Sequence, residues 1–420
     1  MYFLIVTNSP GELTGWVQPM ARALKRACPQ CSVMLVIPPC QFASGKELDI
    51  AAQFPEVEAT VGPKQYVRFL FSGRKRGLSR SLKGERGLCI FLGGDPFHAV
   101  LVARRMRIPL VGYLRTPRWR RQFKRYMVRS KEEKNLFIGR GVEAGRVCVV
   151  GDLMIDAFCP SPGEDRQACQ MTQKSSGSFH VVLLPGSRAQ IARNMIPFFL
   201  GVCEFLLHEF PEVEFSLLFS SFLGENILEE IAGAELYRAM KVPAVRVMRT
   251  AEGLALISEG GVRANVLQEG HRKAMYSADL ALTIPGTNTM ELACTGTPMV
   301  VVLPLHRPEM IPLDGLAGLV GSIPIVGRMI KSVGVNRYLK RWRYCALPNM
   351  RAGRELVPEV KGNIAPEDVA RVAISLLKDR KRRAVISTDL REVTGENGAT
   401  DRFACCCLEL LEQSCESGLP

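Results

Sequence analysis

Short apolar runs, each followed by a helical stretch, recur along the chain and restrict it to an α/β fold. Tyr2–Thr7 reads as a strand and Gly15–Ala27 as the helix after it. "SVMLVIPP" at 32–39, "GLCIFLGGD" at 87–95, "PLVGYL" at 109–114 and "RVCVVGD" at 146–152 continue the series. Runs that are apolar throughout, rather than alternating, belong to strands buried on both faces. Such strands predict a parallel sheet with helices on each side.

The series is interrupted at 160–179, "PSPGEDRQACQMTQKSSGSF", which is polar and carries Pro, Gly and Ser. Such a stretch predicts a domain boundary. A second set begins with "HVVLLPG" at 180–186 and continues with "VEFSLLFSSF" at 213–222, "ADLALTIPG" at 278–286 and "TPMVVVLP" at 297–304. A chain of 420 residues exceeds what one core usually serves. The expectation is two doubly wound Rossmann-like domains, over 1–165 and 178–365, with an interdomain cleft. Helices are expected to fill 366–420, and ligands are expected at the carboxyl ends of the strands.

Charge narrows the partners. Lys and Arg number 55 against 41 Asp and Glu, a net charge of +14. That excess favours a polyanion: a phosphorylated substrate, an anionic membrane surface or nucleic acid. The 14 cysteines are irregularly spaced. Cys28 and Cys31 form a single C-x-x-C without a second pair, so no metal is expected. The apolar opening runs straight into a glycine turn and is read as a first strand, not a signal peptide. The weakly polar tract at 311–330 contains Asp314, Arg328, prolines and glycines, which make a poor spanning helix.

Four stretches carry candidate chemistry. In Leu184-Pro185-Gly186-Ser187-Arg188 an apolar strand ends in a tight turn at a helix start. Free backbone N–H groups there, with an arginine beside them, suit a phosphate; an ordinary strand-to-helix turn has the same sequence. Gly286-Thr287-Asn288-Thr289 opens another helix, with Glu291 in its first turns. Glu291 is placed either to accept from ribose hydroxyls or simply to cap. Gly11-Glu12-Leu13-Thr14-Gly15 follows the first strand as a flexible turn. Leu347-Pro348-Asn349 leads to Ala352-Gly353-Arg354, and is ambiguous by itself.

In their order along the chain, 11–15, 184–188, 286–291, Pro298-Met299-Val300-Val301 and 347–355, these stretches resemble the lipid-A-disaccharide synthase family over nearly the full chain. The resemblance implies an inverting glycosyltransferase of GT-B architecture in lipid A biosynthesis. It would move an acylated glucosamine from UDP to a lipid monosaccharide phosphate. The UDP-sugar is then a substrate, and no cofactor or metal is expected. Carried over residue by residue, Gly286, Thr287, Asn288, Thr289 and Glu291 match the nucleotide-sugar helix. Gly186, Ser187 and Arg188 match the phosphate-side turn, and Asn349 and Arg354 the segment closing that site. Gly11, Glu12, Thr14 and Gly15 match the acceptor-side loop. Asp95 matches an essential aspartate and is the candidate base, with His98 in reserve and Arg188 as the cation on the leaving diphosphate.

This chain departs from the family at Gly94-Asp95-Pro96-Phe97-His98, where the family pattern has two carboxylates, Asp-x-Pro-Asp-Phe-Asn. It also departs at Thr14, Trp16, Pro304 and Thr116–Arg120, mostly on the acceptor side. The alternatives are another UDP-sugar enzyme acting on a different lipid, a UDP-sugar epimerase, or a non-catalytic binding relative. No nucleic-acid partner is expected, since no recognised motif accompanies the basic runs. Those runs, at 72–80 and 115–130, are interleaved with Trp119, Phe123 and Tyr126 in the second. They suit either an anionic bilayer or a solvated helix face. A cytoplasmic enzyme, peripheral at the inner face of the cell membrane, is expected, and a homodimer is a further expectation.

Overall fold

The computed structural model describes residues 1–7, 13–39, 47–72, 86–158, 178–220, 223–224, 226–232, 244–250, 253–304 and 343–416. The chain divides into two compact units, Met1–Pro162 with Glu396–Pro420, and Gly163–Gly395. Most of the 160–179 stretch, most of the basic run at 72–80, and all of 311–330 lie outside the described residues.

The first unit holds a seven-stranded, wholly parallel sheet. Its strands are β1 (Tyr2–Val6), β2 (Ser32–Val36), β3 (Ala59–Val61), β4 (Gly87–Leu92), β5 (Leu110–Tyr113), β6 (Phe123–Val128) and β7 (Val147–Val149), in the order β3-β2-β1-β4-β5-β6-β7. Every residue of β1, β2 and β4 is buried, as strands covered on both faces require. A π-helical turn over Leu13–Val17 leads into helix α1 (Gln18–Ala27). The other helices are α2 (Glu47–Ala51), α3 (Pro63–Ser72), α4 (Pro96–Met106), α5 (Lys131–Gly139) and α6 (Leu153–Phe158). The 115–130 run is not a helix. Its second half is β6, whose Phe123, Tyr126, Met127 and Val128 are buried. Periodicity hid this strand, because its outward positions carry Lys124 and Arg125.

The second unit contains β8 (His180–Leu184), α7 (Ala189–Glu209), β9 (Glu214–Leu218), α8 (Asn226–Ala232), β10 (Val245–Thr250), β11 (Gly253–Ser258), β12 (Arg263–Leu267) and α9 (His271–Ser277). It continues with β13 (Leu280–Thr283), α10 (Asn288–Thr295), β14 (Met299–Pro304), α11 (Leu347–Ala352), β15 (Glu359–Gly362), α12 (Pro366–Lys378) and α13 (Arg380–Thr394). Its eight-stranded sheet runs β10-β11-β12-β9-β8-β13-β14-β15. Five of its pairings are parallel, but β10–β11 and β11–β12 are antiparallel. Tight reversals between these strands use Gly253 and Gly261, at φ 128° and 89°, a region where glycine alone is unstrained. Helix α7 is long and apolar enough to cross a membrane, yet two thirds of its most apolar window is buried in the protein.

The expected set of tail helices at 366–420 is divided. Helices α12 and α13 stay with the second unit, where α12 packs on α7 and α13 on α10. The last helix, α14 (Ala399–Glu416), belongs to the first unit and packs on α1. Polar anchors decide this. The Asp156 carboxylate accepts from Gly398 N at 2.7 Å and from Thr400 N and Oγ1 at 2.6 Å each. Arg402 Nε donates to Val150 O at 2.7 Å.

Candidate functional site

In the second sheet the strand order reverses between β8 and β13, which pair in parallel with Leu184 beside Thr283. Such a switch point opens a crevice at the carboxyl ends of its two strands, where ligands of this fold bind. The turns 185–188 and 284–287 both emerge there. At Gly186, φ is 94° and a Cβ atom would stand 2.7 Å from Ile284 Cδ1, so a side chain would collide with the facing turn. Gly286, at φ 145°, is exposed and has open space where a side chain would be. A ligand can therefore approach its backbone closely.

Arg188 stands at the N-cap of α7 and makes no side-chain cap hydrogen bond; Ser187 beside it is exposed. Thr287 holds the same place on α10, also without a side-chain cap bond. The exposed Thr287 hydroxyl therefore does not cap its own helix. Asn288 is half-buried. Thr289 is fully buried, donating to Gly286 O at 2.8 Å and accepting from Leu347 N at 3.1 Å. Its role is to pin α11 against the turn. Glu291 is half-buried in the first turns of α10, and burial pushes its carboxyl up to about 7 against the pull of Arg272. A carboxyl poised there donates or accepts near neutral pH.

Asn349 has a different task from the one its motif suggests. It is fully buried, and its amide is spent inside the protein. Nδ2 donates to Val357 O at 2.8 Å and to Glu359 Oε1 at 2.9 Å. Oδ1 accepts from Leu356 N at 2.7 Å and Val357 N at 3.0 Å. Glu359 completes this lock by accepting from Ala346 N at 2.8 Å, Cys345 N at 2.9 Å and Lys361 Nζ at 2.8 Å. These bonds hold its carboxyl below the ordinary range despite burial. Asn349 and Glu359 therefore shape the 345–359 segment rather than offer groups to a ligand. Arg354 is largely exposed and pairs with Asp389 at 3.1 Å.

The first sheet reverses between β1 and β4, so Thr7 and the segment after Leu92 stand at its switch point. Gly11 and Glu12 lie outside the described residues; Thr14 and Gly15 fall on the π-helical turn, a form frequent at functional sites. After β4, Gly93 and Gly94 take φ 87° and 85° and deliver Asp95 to the N-cap of α4. Asp95 is exposed, and its Oδ1 accepts from Phe97 N at 3.0 Å. Pro96 occupies the first helical turn, where a missing N–H costs nothing. The reserve base, His98, has its Nδ1 2.8 Å from the Tyr66 hydroxyl. Burial keeps the His98 pKa below its ordinary value, against the pull of Asp95. No sequence motif pointed to Tyr66. It stands 32 residues from His98, and only α3 brings the two together.

Two α/β units in series, each with glycine-hinged turns at the switch point of its sheet, define a two-domain Rossmann-like fold of the GT-B type. The fold is shared with the UDP co-structure of MnaA from S. aureus, at TM-score 0.55 and 13% identity over 98% of this chain and 97% of that one. It is shared too with MurG of Acinetobacter baumannii, at TM-score 0.50 and 14% identity over 98% and 100%. Residues 236–310, which include the α10 turn, match the family model for lipid-A-disaccharide synthetase. The lipid-A-disaccharide synthase of Syntrophus aciditrophicus is 26% identical over 67% of this chain and 61% of its own length. That of Solibacter usitatus is 26% identical over 81% and 80%. The chain is thus similar to lipid-A-disaccharide synthases over most of its length.

Proposed function

We propose that the protein transfers an acylated glucosamine from UDP to a lipid monosaccharide phosphate, with inversion at the anomeric carbon and release of UDP. The observation that carries this reading is the convergence of the 185–188 and 284–287 turns at one switch point, beside the half-buried Glu291. In this reading the backbone of Gly186 and Gly286, the first turns of α7 and α10, and Ser187, Thr287 and Asn288 surround the diphosphate. Arg188 carries the charge that opposes it. Glu291 takes the ribose hydroxyls, Thr289 and Asn349 hold the surrounding segments, and Arg354 lies at the rim. Thr14 and Gly15 border the acceptor; Gly11 and Glu12, expected in the same loop, lie outside the described residues.

The acceptor hydroxyl attacks the anomeric carbon as the bond from that carbon to the diphosphate oxygen breaks. Its proton passes to Asp95, and the negative charge of the leaving UDP meets Arg188 and the helix N-termini. No cofactor enters this scheme. Incubation with UDP-2,3-diacylglucosamine and lipid X, followed by mass analysis, tests it. A disaccharide phosphate supports the reading; an epimerised UDP-sugar, or unchanged substrates, overturns it. One observation favours a non-catalytic relative: Asp95 already spends one oxygen on capping α4. Turnover of Asp95→Asn decides between the two.

Because the acceptor is a lipid, the enzyme works at the inner face of the cell membrane as a peripheral protein. The exposed Arg118, Arg120 and Arg121 around Trp119 supply charge for an anionic surface. A homodimer is compatible with this picture, and sedimentation at two concentrations tests for it.

A further inference from the structure

We propose that Phe97 and Trp119 form an aromatic shelf that stacks the sugar ring of the acceptor, with Arg118 and Arg121 taking its phosphate. This rests on the transferase reading above and names the residues that hold its acceptor. Among the described residues Phe97 and Trp119 are two of the few large apolar side chains left open to solvent, 42% and 38% exposed. They are also paired, with ring centroids 5.8 Å apart and a tilt of 36°. A paired, exposed aromatic face keeps apolar area in water unless a ligand covers it.

The shelf is built rather than incidental. Trp119 is held at φ 52°, a conformation that a bulky residue rarely adopts. Hydrogen bonds to its backbone and its neighbour's hold it there: Gln122 N donates to Trp119 O at 2.9 Å, and the Tyr126 hydroxyl donates to Arg118 O at 3.1 Å. Phe97 is fixed from the other side. Its N–H is bound to Asp95, and its ring meets the edge of His98 at 5.8 Å. The candidate base and its reserve are therefore attached directly to one half of the pair.

Charge selects the occupant. Other arginines nearby are engaged: Arg120 with Arg140 O, Arg125 with Glu409 and Gln413, Arg129 with Glu133. Arg118 and Arg121 are exposed, and among the described residues no carboxylate pairs with either. An apolar ring face beside two unneutralised guanidinium groups complements a pyranose, whose C–H face is apolar, bearing a phosphate.

The test measures donor and acceptor separately. Trp119→Ala and Phe97→Ala should each raise the acceptor KM about tenfold, the size of one lost stacking contact. Donor KM and calorimetric UDP affinity should stay unchanged, which also shows that the variants fold. Trp119→Tyr should restore most of the acceptor KM. Glucosamine 1-phosphate, which lacks acyl chains, should quench tryptophan fluorescence of the wild type but not of Trp119→Tyr. Quenching that depends on Trp119 without any disaccharide product supports the shelf and sinks the transferase reading. Disaccharide product with an unchanged acceptor KM in both alanine variants overturns the shelf. So does an unchanged KM coupled to lost vesicle flotation, which would make the pair a membrane contact.

Discussion

The Asp95 carboxylate accepts the Phe97 N–H at 3.0 Å, so the candidate base is also the cap of the helix that follows it. Asparagine caps as well as aspartate does, so substitution separates the two roles. Asp95→Asn should keep the fold and UDP affinity while lowering turnover at least about a hundredfold, the scale of a lost general base. Asp95→Ala should in addition lose about 1 kcal/mol of stability with the cap. Normal turnover in Asp95→Asn together with an inactive His98→Ala passes the base assignment to His98.

Arg188 meets the diphosphate in this reading. Arg188→Ala should weaken UDP binding by about 1.5–3 kcal/mol, the range for a hydrogen bond to a charged group. Calorimetry reads this directly, and unchanged affinity removes Arg188 from the site.

Glu291 sets a pH dependence. Its carboxyl is raised from 4.5 to about 7 by burial, so between these values the folded state holds a proton that the unfolded state has lost. This contribution to stability is complete below pH 4.5 and disappears as pH rises through about 7. Relative to Glu291→Gln, the wild type should lose thermal stability over that window. An ionised carboxylate is the better acceptor for ribose hydroxyls, so UDP affinity should rise with pH around 7 in the wild type more than in Glu291→Gln. Parallel pH profiles for the two proteins would remove Glu291 from ribose binding.

Asn349→Ala breaks four internal hydrogen bonds and strands buried backbone groups at Leu356 and Val357. Stability should fall by about 2–4 kcal/mol, since each buried group left unpaired costs about 1–3 kcal/mol. Denaturant unfolding measures this, and an unchanged midpoint contradicts the structural role.

Surface charge should draw the protein to lipid. Wild type should float with anionic vesicles at low salt and less at high salt, because salt shortens the reach of surface charge. Changing Arg118, Arg120 and Arg121 together to Gln should reduce flotation and leave UDP affinity unchanged. Wild type that remains at the bottom of the gradient at low salt excludes docking.

Local chemistry made much of this protein legible in its sequence. Apolar runs such as Tyr2–Val6 and Gly87–Leu92 announce strands buried on both faces, because nothing else accommodates them in water. Pro-Gly turns after two of these runs mark where chain reversals meet helix starts. Asp95-Pro96 can be read as a helix cap from two residues alone. The strand Phe123–Val128 was not legible, because Arg125 on it is balanced by Glu409 and Gln413 from the far end of the chain. Nor was the task of Asn349, whose partners at 356–359 are set by how the chain folds back. The His98–Tyr66 bond, the return of α14 to the first unit and the pairing of Phe97 with Trp119 likewise join residues distant in sequence. Propensity and periodicity act over one or two turns of chain, so they select the elements. Which side chains meet across those elements depends on sheet order and burial, and only the tertiary structure decides it.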